Sequence, residues 1–145
     1  MLEAKGVRQM TDNELAIYIH QVHSLMARES DQRLLEQLGI GLAQYKILAA
    51  LHAAPKPQQR AIASELGQTE ASISRQIKLL EGKGMLVVTK NPANMREHHI
   101  TLTARGLQLI EAAERVISGY HHGTFAGLSK KQRQQLEEAL AVLQP

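Results

Sequence analysis

The chain has no cysteine and no tryptophan, and a single phenylalanine with three tyrosines makes its aromatic share only 3% of 145 residues. Without thiols, disulfides, thiolate metal sites and thiol redox sensing are all excluded. With so few aromatics, the core has to be assembled from Leu, Ile, Val, Ala and Met, a palette that favours helices. A P-loop, a Gly-x-Gly-x-x-Gly turn, a Gly-x-Ser-x-Gly elbow and a His-Glu-x-x-His helix are also missing, which speaks against an enzyme. No long hydrophobic run is present. The longest, ILAALHAA from Ile47, is interrupted by His52 and is too short to span a bilayer. The opening segment MLEAKGVRQMTDNELAIYIHQ lacks the apolar stretch of a signal peptide. A cytoplasmic protein with no membrane partner is expected.

What is present has the size of one domain with a real core. The formal charge is +3, and it is unevenly placed. Residues 56–106 hold eight Lys and Arg against four Asp and Glu, whereas 1–55 hold five against six and 107–145 four against four. The surplus therefore lies in the middle third, where a polyanionic partner would be met.

Helix signals fill most of the chain. Thr11-Asp12-Asn13-Glu14 is a capping box, after which Leu15, Ile19, Val22 and Met26 recur at helical spacing to about Leu38, with Gly39 as the stop. Gly41-Leu42 opens a second helix carrying Tyr45, Leu48, Ala49 and Leu51, which Pro55 and Pro57 should end. Two short units follow, QQRAIASELG and the run from Thr69 to about Gly82, joined only by Gly67-Gln68. A corner that short is a helix-turn-helix connection. Met85–Thr89 and His98–Leu102 then read as strands around the turn-forming Asn91-Pro92-Ala93-Asn94, giving a hairpin whose polar tip carries Lys90 and Arg96. Beyond Thr103 the helical pattern returns, through Leu107, Ile110, Ala113, Val116, Ile117 and Tyr120, and is expected to end at His121-His122-Gly123. A second capping box, Ser129 to Gln132, starts a last helix with Leu136, Leu140 and Leu143 on one stripe. The fold class is mainly α with a small β-hairpin wing, a winged helix-turn-helix flanked by terminal helices.

In TEASISRQIKLLEGKGML, from Thr69 to Leu86, Ile73, Ile77 and Leu80 are spaced to bury one face, leaving Ser72, Arg75, Gln76 and Leu79 roughly opposite. Arg can bond guanine through two hydrogen bonds, Gln can do the same for adenine, and hydroxyls near a helix N-terminus suit phosphates. Lys83 and Lys90 are candidates for phosphate contacts. Leu79 is the one outer residue without an evident part to play.

LGQTEASISRQIKLLEGKGML resembles the recognition-helix segment of the MarR family, the multiple-antibiotic-resistance regulators. GLAQYKILAAL from Gly41 resembles the family's second helix, and NMREHHITLTARG from Asn94 its wing and the Leu-Thr-x-x-Gly start of its dimerisation helix. The resemblance implies a homodimeric transcription regulator on double-stranded DNA, occupying the chain as one domain over 1–145. It implies dimerisation helices over 11–38 and 103–145 and a DNA-binding unit over 42–102. Ser72, Arg75 and Gln76 would face the major groove, Thr69 and Ser74 the phosphates or the cap, and Arg96 the minor groove. There are departures. Asn94 stands where the family has Asp, which removes an ionic partner of the wing; Gln68 replaces an apolar residue, and Leu79 a polar one.

Relatives in this family bind small anionic or aromatic effectors between the dimer helices and the winged unit. His20, His23, Tyr45 and His52, polar interruptions of apolar faces, are the candidates here for such a pocket. His20 and His23 lie three apart on one helical face, but two histidines are not a metal site, and no metal or cofactor is assigned. The alternatives are a winged module that binds protein, for which the basic surplus and wing Arg have no use, and a metal-responsive regulator that enlists the histidines.

Overall fold

The computed structural model describes residues 8–54 and 58–144, the side chains of Met95 and Glu97 excepted. Among the described residues, six helices and one hairpin occur in the order α1 (Asp12–Leu38), α2 (Leu42–Ala53), α3 (Gln59–Leu66), α4 (Glu70–Gly82), β1 (Leu86–Asn91), β2 (Asn94–Leu102), α5 (Ala104–Phe125) and α6 (Lys130–Leu143). Pro55 and Pro57, read as the stop after α2, lie outside the described residues. Both capping boxes form, at Thr11–Glu14 and Ser129–Gln132.

Local chemistry sets the corners. At Gly67 (φ 63°) the chain closes α3 with Gly67 N–H donating to Ser64 O and Gln68 N–H to Ala63 O, a Schellman turn that aims α4 across α3. Gly84 (φ 74°) repeats the device below α4, with Gly84 N–H donating to Glu81 O and Met85 N–H to Leu80 O. That second turn uses the Met85 amide, so the strand begins at Leu86 and not at Met85 as the sequence pattern suggests. The hairpin is longer than expected on its second side, since β2 begins at Asn94. Asn91 Oδ1 accepts from Ala93 N–H at 3.0 Å and closes the tip.

Alternation fixes the hairpin's two faces. The register pairs Leu86 with Leu102, Val88 with Ile100 and Lys90 with His98. Leu86 and Ile100 are buried against the helices, so Lys90 and His98 follow on the same inward side. The core joins Ile47, Leu48 and Leu51 of α2, Ile62 of α3, and Ile73, Ile77 and Leu80 of α4 to Leu86, Ile100 and Ile110.

The α5 N-terminus is clamped under the α4–β1 turn. Thr103 Oγ1 donates to Gly84 O at 2.7 Å and accepts from Gly106 N–H, while Thr103 N–H donates to Met85 O. A side chain at Gly106 would overlap the Met85 carbonyl. The expected end of α5 at His121–Gly123 is corrected: the helix runs through Gly123 to Phe125. A lone glycine costs a helix only about 1 kcal/mol and does not stop it. α1 and α6 leave apolar surface open: Leu15, Ile19, Val22 and Leu25, and Leu136, Leu140 and Leu143, are all exposed.

Candidate nucleic-acid interface

α4 exists as a helix with a free polar side because its apolar residues fall at 73, 77 and 80, all within 1% of complete burial. Thr69 caps it, its Oγ1 accepting from Ser72 N–H at 3.1 Å. At 3.6 residues per turn, Arg75 lies about 170° from the buried line, with Ala71, Lys78 and Leu79 beside it. Gln76 is only about 70° away. The expected outer set is therefore divided by the fold.

Ser72 and Gln76 are half-buried on the flank that meets α2. Gln44 Nε2 donates to Gln76 Oε1 at 3.2 Å, and Ser72 Oγ donates to Gln68 Oε1 at 3.3 Å. Lys83, on the same flank, donates to Gly39 O at 3.2 Å and to Gln44 Oε1 at 3.3 Å. Its ammonium meets the C-terminal end of α1, where helix carbonyls favour a cation, while the residue stays exposed.

The opposite flank is a polar cleft between α4, the start of α3 and the hairpin, about 670 Å³ in volume. Ser74, Lys78, Arg96 and His98 line it, with Gln58, Gln59, Glu70 and Asn94. A contiguous recess adds Lys90 and Glu81. Arg96, His98 and Ile100 share one face of β2, which is why Arg96 enters the cleft and His99 does not. Asn94 Oδ1 accepts from Arg96 N–H at 3.2 Å, so the amide that replaces the expected acid still ties the wing backbone. The cations of the cleft have acid neighbours in Glu70 and Glu81, and Glu70 also lies 3.8 Å from Arg60.

Of the eight residues picked from sequence, the fold thus gathers Ser74, Lys90 and Arg96 at the cleft. It leaves Arg75 on the crest, exposed and without a hydrogen bond or ion pair among the described residues. Thr69 sits at the N-terminus, and Ser72, Gln76 and Lys83 lie on the α2 side. Sequence reasoning missed Lys78 and Gln44. Lys78 is four residues from Ser74 and three from Arg75, so the helical period alone could have found it. Nothing in the sequence pairs Gln44 with Gln76.

The proposed effector residues also part company. His23 and Tyr45 line one cavity of about 330 Å³ between α1, α2 and α5, with Met26, Lys46, Ile117 and His121. Tyr45 also borders an adjoining open groove of about 730 Å³, lined by Ala27, Ala43, Ala49 and Ala53. Burial, and secondarily the carboxylate of Glu114, raise the Tyr45 hydroxyl above its ordinary range. His20 and His52 are both exposed and border neither of these cavities. His20 shares the α1 face of Ala27 and Asp31 but lies about two turns nearer the helix N-terminus, and His52 lies at the far end of α2. Among the described residues no three His, Cys, Asp or Glu side chains converge as a metal site. No helix among them is long and apolar enough to cross a membrane.

Comparison with known proteins bears on this geometry. The sequence model of the MarR family matches residues 38–97, which hold the whole helix-turn-helix and most of the wing. An uncharacterised HTH-type transcriptional regulator of Bacillus subtilis, YdgJ, is 26% identical over 103 residues, covering 71% of this chain and 63% of that protein. Among solved structures, wild-type MarR from E. coli in its apo form superposes with a TM-score of 0.81 at 22% identity, covering 96% of this chain and 100% of that one. A MepR mutant from S. aureus, bound to an oligodeoxyribonucleotide, matches with a TM-score of 0.62 at 25% identity, covering 93% of this chain and 96% of that one.

Proposed function

The chain belongs to the MarR family, and from that premise we propose that it is a transcription regulator that binds a pseudo-palindromic DNA operator as a homodimer. The observation that carries the reading is the pairing of Arg75 on the open crest of α4 with Arg96 in the adjoining cleft, on the only part of the chain with a basic surplus. Residues 42–102 form the DNA-binding unit. The segments 11–38 and 103–145 form the dimer interface, in which the open apolar stripes of α1 and α6 cover one another. A symmetric partner is the simplest cover for two such stripes.

In this arrangement α4 lies in the major groove with Arg75 on a guanine, and Thr69 and Ser74 meet phosphates near the helix N-terminus. Ser72 and Gln76 stand at the edge of the reading face. Lys78 and Lys90 line the path of a phosphate strand between helix and wing. Arg96 reaches a narrow minor groove, where the potential is most negative. The protein represses by covering a promoter and is released by a small-molecule effector held between α1, α2 and α5, against His23 and Tyr45. It works in the cytoplasm, without a membrane.

A mobility-shift titration on the DNA upstream of its own gene, repeated with candidate effectors, tests the reading. Arg75→Ala should cost about 1–3 kcal/mol and blur sequence preference. Unchanged operator affinity in Arg75→Ala combined with Arg96→Ala would overturn the assignment. Sedimentation of a monomer at micromolar concentration would overturn the dimer.

A further inference from the structure

Leu79 is the one large apolar side chain that α4 presents to solvent, at 54% exposure. The apolar surfaces of α1 and α6 belong to other elements. In the core-facing part of α4, Ile73, Ile77 and Leu80 already fill every buried position, so Leu79 has no packing task within the chain. It stands one turn beyond Arg75 on the same ridge of the helix, with Lys78 next to it.

We infer that Leu79 is a second base-reading residue, which packs against the C5-methyl group of a thymine in the major groove. This rests on the operator-binding proposal above. The thymine methyl is the only apolar group on a base edge in that groove, and an aliphatic side chain flanked by cations is suited to it and to little else on DNA. The spacing narrows the position. Four residues advance the helix by about 6 Å, and bases are stacked about 3.4 Å apart, so the thymine lies about two base pairs from the guanine bound by Arg75.

The experiment replaces thymines of the half-site one at a time with deoxyuridine, which removes the methyl and leaves base pairing intact. Affinities of the wild type and of Leu79→Ala are measured by fluorescence anisotropy. Burying one methyl group is worth about 0.8 kcal/mol, a fourfold change in affinity at one half-site and about fifteenfold when both half-sites of a dimer are altered. One position should weaken the wild type by that factor, and Leu79→Ala should bind the thymine and deoxyuridine operators equally. Thermal unfolding of Leu79→Ala should match the wild type, because the side chain is exposed. The inference is overturned if every deoxyuridine substitution affects wild type and Leu79→Ala alike while both keep a preference for the operator. If the wild type shows no sequence preference at all, the operator-binding proposal fails, and the reading of Leu79 with it.

Discussion

Lys78 and Lys83 are the same residue type on one short stretch, yet their surroundings predict opposite consequences for DNA binding. Lys78 lines the cleft beside Ser74, Arg96 and His98, with its ammonium free to meet a phosphate. Lys83 already has two protein acceptors, the Gly39 carbonyl at 3.2 Å and Gln44 Oε1 at 3.3 Å. Each phosphate neutralised on duplex DNA contributes about 0.9 to the slope of log affinity against log salt. A dimer that loses one contact per subunit through Lys78→Met should therefore lose about 1.8 from that slope. Lys83→Met should leave the slope within error of the wild type. Its cost falls on stability instead: two hydrogen bonds at an exposed site are worth about 1 kcal/mol, or about 3 °C in the unfolding midpoint. The assay is fluorescence anisotropy of a labelled operator across a series of KCl concentrations, with thermal unfolding run in parallel. The reasoning is refuted if Lys83→Met flattens the salt dependence as much as Lys78→Met does.

Two further outcomes follow from packing and titration. Gly106→Ala places a methyl on the Met85 carbonyl at the clamp between α5 and the α4–β1 turn, where neither side is flexible. It should cost about 3 kcal/mol or more, measured as a lowered urea midpoint. Tyr45 is held neutral by burial and by Glu114, so its hydroxyl ionises above the ordinary value of 10.0. The unfolded chain then loses this proton first as pH rises. The stabilising contribution is intact below about 10 and disappears as pH climbs through the folded value. Urea unfolding as a function of alkaline pH should show this fall in the wild type, and Tyr45→Phe should show a shallower one.

Elements that depend on neighbours in sequence were legible in advance. The two capping boxes, the glycine stops at 39 and 67 and the burial of Ile73, Ile77 and Leu80 need only spacing and residue type, and each is found where the pattern put it. Errors arose at element ends, where a local signal was weaker than it looked or a neighbouring turn took the backbone group first. The strand begins one residue late because the Met85 amide is taken by Leu80 O, and α5 continues past Gly123 because a glycine weakens a helix without ending it. For the site, periodicity told which residues of α4 are not core, but not what stands on either side of the helix. Gln76 and Arg75 are adjacent in sequence. One bonds Gln44, thirty-two residues away, and the other makes no hydrogen bond or ion pair among the described residues. The same limit separated His23 and Tyr45, which share a cavity, from His20 and His52, which do not.

The division of α4 into flanks also bears on how much of an operator this helix reads directly. Bidentate recognition of adenine needs both the oxygen and the amide nitrogen of a glutamine, and Gln76 Oε1 is already occupied by Gln44. Reading adenine with Gln76 therefore means either using the second lone pair of Oε1 in an orientation already set by Gln44, or giving up that hydrogen bond, worth about 1 kcal/mol. Arg75 carries no such cost. On the proposed operator, direct readout then concentrates on Arg75 and Leu79, while Lys78, Lys90 and Arg96 contribute binding that phosphates and groove shape supply. A half-site read through so few base contacts discriminates weakly by itself, each mismatch costing about 1–3 kcal/mol. In the proposed dimer, useful specificity then depends on two half-sites being met at once, which would make the apolar stripes of α1 and α6 matter to sequence selection as much as α4 does.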